Sequence, residues 1–366
     1  TLGTLVNDSI TSYERREYDA IMLNTYKGLA FMLKGDMQNA RVEFNRALDR
    51  QRRAKEYFQK RIEKKRKKLN EREEKKRKNA AKEKGKNSID IPTVKSIMEK
   101  DEINNQLEKR YSNLEQFSVY PDFINPFTTY VSGLFFFLQQ DYPKANTYFK
   151  ETYGMIENKK VVEKDFLAVE NILNKGDPSP HEKVWVIFAN GLAPNKEEWR
   201  IDLPLFVVNK NVMHAGIALP KLDPREPAQL FLQIYTGPQD QIRTRTLTSM
   251  DDVIAQEFKK EYPYIMTRAI TSALFKTVGQ YYAGEKFGVL GSMAGGVYSA
   301  ASTRADTRIW QGLPKNFQVA RFDRPEDGIF QIKTPQGKLL KQLHVPEDKN
   351  SVVFIKQPTS QARIFT

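Results

Sequence analysis

Apolar residues recur along this chain in two different periods. Up to about residue 173 the pattern is helical. "GLAFMLKGDMQNARVEFNRAL" (Gly28–Leu48) and "GLFFFLQQDYPKANTYFKETY" (Gly133–Tyr153) align without a gap at an offset of 105, sharing seven of 21 positions. Each reads as a pair of helices joined at an aspartate, Asp36 or Asp141, placed to end the first helix and cap the second. From Met37 no Gly or Pro intervenes before Gly85, so the second helix is expected to run on for roughly 70 Å at 1.5 Å per residue. Ala54, Phe58, Ile62 and Leu69 leave a thin apolar stripe along it, and Ile97, Ile103, Leu107, Tyr111 and Leu114 recur at helical spacing within 91–117. The stretch 51–118 therefore reads as a long antiparallel helical hairpin inserted between the two copies, with a polar tip near Asn79–Asn87. After "NKGDPSP" (Asn174–Pro180) the period becomes two. Trp199, Ile201, Leu203, Leu205 and Val207 alternate, as do Leu230, Leu232 and Ile234. Further strands are expected at 184–190, 214–219, 240–247, 316–322, 328–333, 339–345 and 351–356, separated by turn signals such as "NG", "PEDG" and "PQG". Asp251–Tyr262 and Pro263–Tyr282 interrupt them as two helices, followed by "FGVLGSMAGGVYSAAST", uncharged from Phe287 to Thr303.

The two copies resemble tetratricopeptide repeats. The family's small residue matches Gly28 and Gly133, its following aromatic Phe31 and Phe136, and the Ala and Phe of its second helix Ala40 with Phe44 and Ala145 with Phe149. Packing explains the choice: a glycine lets two antiparallel helices approach and an aromatic fills what space remains. The family's Trp and Leu positions fall instead on Asn24 and Lys27, and on Thr129 and Ser132. The expected fold is thus α+β: a helical domain over 1–173 that carries the inserted hairpin, then a sandwich-like β-rich domain over 181–366 with a helical insertion at about 250–303.

Charge singles out one segment. Between Gln51 and Lys86 stand 18 Lys/Arg against 6 Asp/Glu, a local net of +12 out of the chain's +14. A run like this is compatible with a solvated helix braced by i,i+4 Glu–Lys pairs, with a contact arm for an acidic protein or anionic lipid surface, or with a nucleic-acid binder. The last is disfavoured because the basic run lacks interleaved aromatics and no nucleic-acid reader motif accompanies it. Lys64, Lys65, Lys67 and Lys68 are the candidate contact residues. The chain has no cysteine, which removes disulfides, thiolate metal sites and cysteine nucleophiles. No stretch reaches 18 consecutive apolar residues, so the small-residue segment 287–303 reads as a buried or interface helix or as a membrane-touching piece.

No catalytic signature emerges. His181, His214 and His344 are scattered without metal-ligand spacing, and GxGxxG, GxxxxGK[ST] and GxSxG are all absent. Neither an enzymatic activity nor a cofactor is expected. In "ADTRIWQGLP", Trp310 is expected to pack on the small-residue helix while Asp306 or Arg308 fixes the turn through local hydrogen bonds.

Four phrases, "YDAIMLNTYKGLAFMLKGDMQNARVEFNRALDRQ", "VWVIFANGLAPNKEEWRIDLPLF", "GIALPKL" and "ADTRIWQGLPKNFQVARF", make most of the chain resemble an uncharacterised family of Gram-negative envelope lipoproteins, which join tetratricopeptide-like helices to a β-rich domain. The resemblance implies a periplasmic protein attached to the outer membrane through a lipidated cysteine upstream of the stretch given. It also implies a non-enzymatic scaffold role among other envelope proteins, in a flagellar-motor disk or accessory complex or a cell-wall synthesis complex. The alternative is a polyanion or nucleic-acid binder that uses the basic hairpin.

Overall fold

The computed structural model describes residues 13–82, 105, 109, 111–117, 120, 123–176, 182–204, 214–237, 239–273 and 304–366. The helices are α1 (Glu17–Leu33), α2 (Met37–Lys82), α3 (Pro126–Leu138), α4 (Tyr142–Met155) and α5 (Glu163–Lys175), followed by α6 over 250–273. The strands are β1 (Lys183–Asn190), β2 (Asn195–Pro204), β3 (His214–Asp223), β4 (Gln233–Tyr235), β5 (Gln241–Arg243), β6 (Arg245–Ser249), β7 (Asn316–Asp323), β8 (Ile329–Lys333), β9 (Leu339–His344), β10 (Ser351–Gln357) and β11 (Arg363–Phe365). The architecture is α+β, with three sheets among the described residues.

The internal duplication is structural as well as textual. In the first hairpin the N–H of Asp36 donates to the carbonyl of Phe31 at 2.9 Å and Ala40 N–H to Asp36 O at 3.0 Å. In the second, Asp141 to Phe136 and Ala145 to Asp141 repeat both bonds at the same lengths. The residue before each aspartate sits in the left-handed region, Gly35 at φ 79° and Gln140 at φ 58°, which closes the first helix with a left-handed cap. Asp36 then caps α2 through its side chain, Oδ1 accepting from Asn39 N–H at 3.1 Å, whereas Asp141 has no such bond and pairs with Arg41 at 3.2 Å. A Cβ on Gly28 would come within 2.8 Å of the Phe44 ring, and one on Gly133 within 3.0 Å of Phe149. Phe44, Phe149, Ala40 and Ala145 are fully buried, while Phe31 packs part-buried against the same core that holds Phe136.

α2 does run on without a break, for 46 residues. Gln51, at the start of the expected insertion, already belongs to the core. Its side chain accepts from Asn125 N–H at 3.0 Å and donates to Thr129 Oγ1 at 2.9 Å. Asn125 in turn caps α3 by accepting from Phe127 N–H at 3.1 Å, with Pro126 in the first turn. Ala54, Phe58, Ile62 and Leu69 pack with Ile21, Phe123 and Tyr264. The partner of the apolar stripe is thus, in part, α6 from the far end of the chain, an assignment that period alone had given to 91–117. Of that segment Tyr111, Leu114 and Phe117 are buried; Ile97, Ile103, Leu107 and the tip beyond Lys82 lie outside the described residues.

The five-stranded sheet has the order β11-β10-β1-β7-β6, and a four-stranded sheet the order β5-β4-β8-β9. β1 lies parallel to β10 and antiparallel to β7, so it is central and nearly continuously apolar. One face of β1, with Val184, Val186 and Phe188, shares a core with Ile234, Phe330 and Ile332 of the four-stranded sheet and with Leu232 just before it. Trp185, Ile187 and Ala189 on the other face join the helical core. The helical part and the sheet therefore share one hydrophobic cluster. Phe127 of α3 stacks on Phe317 of β7 at 3.5 Å between centroids. β2 and β3 form a separate two-stranded ribbon, docked by Tyr111, whose hydroxyl donates to Pro220 O at 2.8 Å.

Two expectations are corrected, and one strand was not foreseen. The single strand at 240–247 is two, because at Thr244 the chain leaves one sheet for the other; its hydroxyl accepts from Leu232 N–H at 2.8 Å and donates to Gln318 Oε1 at 2.6 Å. The two helices expected on either side of Pro263 are one, 250–273 in the described residues. Pro263 is exposed, so the helix loses only a solvent-side hydrogen bond there while buried Tyr264 and Met266 hold it on course. β11 carried no period long enough to be noticed.

Replacing Gly28 or Gly133 by leucine should cost about 1–3 kcal/mol of unfolding free energy through overpacking against Phe44 or Phe149. Gly154→Ala, where a Cβ meets nothing within 4 Å, should be neutral or slightly stabilising. Urea denaturation of the three variants decides it; equal midpoints for Gly28→Leu and Gly154→Ala would remove the close-crossing argument.

Candidate functional site

α2 presents two chemically different faces. On the inner face, between the apolar residues, stand Arg61 and Lys65. Arg61 Nη2 lies 2.5 Å from Glu257 Oε1, and Lys65 Nζ 2.8 Å from Glu261 Oε1 and 3.0 Å from Glu14 Oε2. Both partners advance by four residues, so α2 and α6 run in step across this patch. Arg16, buried at the start of α1, pairs with the other oxygen of Glu261. Glu257 also accepts the free N–H groups of Glu17 at 2.9 Å and Tyr18 at 3.3 Å. A carboxylate at the positive end of α1 satisfies donors that a helix leaves unpaired.

Burial raises both carboxyls, but their net shifts are opposite. Burial acts to raise Glu261, but the Arg16 guanidinium and the Lys65 ammonium outweigh it and hold the carboxyl well below the ordinary range. Glu257 is raised by its burial despite Arg61 and Arg16. Lys196 of β2, buried near Arg16 and 5.7 Å from the centre of the Phe258 ring, is lowered to about 8, chiefly by loss of water.

The outer face is different. Lys64, Lys67 and Lys68 are exposed and make no hydrogen bond or ion pair among the described residues. Their neighbour Lys60 is held by Glu56 at 2.6 Å. Of the four lysines singled out by charge alone, Lys65 is thus engaged inside the chain and three face outward. The signal that separates them is helical phase: Lys65 lies three residues after Ile62 and four before Leu69, on the apolar stripe.

A second buried charge joins the layers. Asp165 of α5 accepts from the Tyr130 hydroxyl of α3 at 2.8 Å and from Trp185 Nε1 of β1 at 2.9 Å. Arg321 Nε of β7 lies 3.1 Å away. Burial raises the Asp165 carboxyl, and Arg321, Tyr130 and Trp185 pull it back. None of these four residues carries a local sequence signal.

Asp306 and Arg308 do make the local bonds expected of them. Asp306 Oδ1 accepts from Arg308 N–H at 3.1 Å and Nε–H at 2.7 Å, and Oδ2 from Nη2 at 3.0 Å. Glu198 fixes the same loop by accepting from Ala305 N–H at 2.8 Å. Trp310 packs edge-on to Tyr26 of α1, 6.0 Å between centroids. Its expected partner, the segment 287–303, lies outside the described residues.

Among the described residues no three or more His, Asp and Glu are grouped to hold a metal ion, and no helix is long and apolar enough to cross a membrane. No protein-family model, curated protein or solved structure matches the chain.

Glu261→Gln leaves Arg16 and Lys65 facing an uncharged partner and should cost about 3 kcal/mol at pH 7. Because the folded-state pKa is depressed, the unfolded chain takes up the proton first. The stabilisation is therefore present above the unfolded carboxyl value of about 4.3 and is lost as pH falls toward the folded value. Denaturation at pH 7 and pH 3 should show the gap between variant and parent narrowing in acid; a constant gap refutes the assignment.

Proposed function

We propose that the protein is a non-enzymatic scaffold of a Gram-negative envelope assembly, and that the outer face of α2 is the arm with which it holds an acidic partner protein. One observation carries the arm. A helix whose inner cations Arg61 and Lys65 are held by Glu14, Glu257 and Glu261 keeps three exposed lysines, Lys64, Lys67 and Lys68, that make no hydrogen bond or ion pair among the described residues, on an anchored, regular rod. Cations held this way steer an anionic surface and cost little to bring into contact, since the helix is already ordered.

The setting comes from the resemblance in sequence. It supports a periplasmic location, outer-membrane attachment through a lipidated cysteine upstream, and neighbours in a flagellar-motor disk or accessory complex or a cell-wall synthesis complex. The two matched hairpins support the tetratricopeptide-like character, a repeat type whose surfaces bind other proteins. An anionic envelope component is the alternative occupant of the arm. Nucleic acid fits less well: from Gln59 to Lys82 α2 has no aromatic residue on which a base could stack.

Lys64→Glu, Lys67→Glu and Lys68→Glu combined should leave the unfolding free energy within about 0.5 kcal/mol, while crosslinking in intact cells loses its principal partner. Lys65→Glu alone should destabilise the fold, because it sets a carboxylate against Glu261. If duplex DNA bound tightly and log K fell with log salt at a slope of roughly −0.9 per contacted phosphate, the arm would be a nucleic-acid site instead.

A further inference from the structure

One side of α1, at its edge with α2, is not fully covered. Leu23 is 53% exposed and Tyr13 41%. Between them and the segment 308–310 lies an open groove of about 510 Å³. Ala20 and Leu23 form one apolar wall, Ile309 and Trp310 the other, and Trp310 is braced from behind by Tyr26. Tyr13 stays in place because its hydroxyl donates to Asp19 Oδ2 at 2.5 Å.

Three polar features turn this groove from a gap into a seat. Arg15 and Arg50 line it; the Arg15 carbonyl accepts from Arg61 Nη1 at 2.9 Å, but neither the Arg15 nor the Arg50 guanidinium makes a hydrogen bond or an ion pair among the described residues. Asp19, more than nine-tenths buried, spends one oxygen on Tyr13 and on Arg16 N–H at 3.0 Å, while its other oxygen, Oδ1, has no donor among the described residues. A buried acceptor left unmade costs about 1–3 kcal/mol, so a ligand that brings an N–H recovers it.

We propose that this groove docks a short acidic segment of a partner protein, seated by an apolar side chain between Leu23 and Trp310. The charge complement is direct: carboxylates on the segment meet Arg15 and Arg50. A peptide also carries an N–H at every residue to offer Asp19, which a fatty acid, with an acceptor-only head, does not. The open form of the groove suits a chain that passes along it. The site uses none of the outward lysines of α2 and stands independently of the function proposed for them.

A random dodecapeptide library displayed on phage, selected against the full chain and counter-selected against Leu23→Asp, tests the site. Leu23 is exposed, so the substitution should leave the thermal midpoint unchanged, and that midpoint is measured alongside. Enriched peptides should combine Asp or Glu with an aromatic or aliphatic residue, and Leu23→Asp should weaken a synthetic winner tenfold or more. Arg15→Glu with Arg50→Glu should abolish its binding and restore that of the same peptide with Lys in place of its acids. Lys64→Glu, Lys67→Glu and Lys68→Glu should leave its affinity unchanged, which separates this site from the arm. The proposal falls if enriched peptides lack acidic residues, if neither groove variant weakens them, or if sodium oleate binds with Leu23 dependence while no peptide is enriched.

Discussion

A single buried carboxylate ties the two halves of the molecule together. Asp165 takes donors from α3 and β1 and an ion pair from β7, so the second hairpin, the following helix and the central sheet are fixed by one group. Removing any one partner would leave a charge or a donor without its complement in low dielectric. Around it the apolar contacts are less selective, since many aromatic pairs can fill the same space. The polar joint decides which face of the hairpin meets the sheet, and the stacked pair of Phe127 on Phe317 follows from that choice.

The charge cluster at α1, α2 and α6 does the corresponding job at the other end. Glu257 binds a helix N-terminus and a guanidinium at once, and Glu261 binds two cations. The result makes the basic helix an integral wall of the core for its first half. Its net charge is therefore a poor guide to what is available outside: some of that charge is structural and some is free.

The legible parts of this fold were those written in local grammar. The hairpins showed because Gly28 with Phe44 and Gly133 with Phe149 must recur at fixed separation for the helices to touch. Most strands showed because burial on one face imposes a period of two, and β1 because burial on both faces makes it nearly continuously apolar. What the sequence did not disclose were relations of long separation. Nothing near Arg61 announces Glu257, 196 residues away, and nothing near Asp165 announces Arg321. Thr244 escaped notice because a change of sheet is made by one hydroxyl, not by a turn motif. The groove was illegible for the same reason: its walls come from residues 20–23 and 309–310, and only the fold sets them face to face.

The position of β1 has a consequence for the order in which the molecule is made. Its two neighbours in the sheet, β7 and β10, are supplied by residues 316–357, so on the ribosome this strand emerges long before either exists. Until then Trp185, Phe188 and the facing rings of α3 have no sheet to close on, and only the local hairpins can fold. Non-local pairing of this kind is slow and leaves sticky surface exposed. Completion of the core waits on residues 316–357, which gives these late strands the role of a closing clasp.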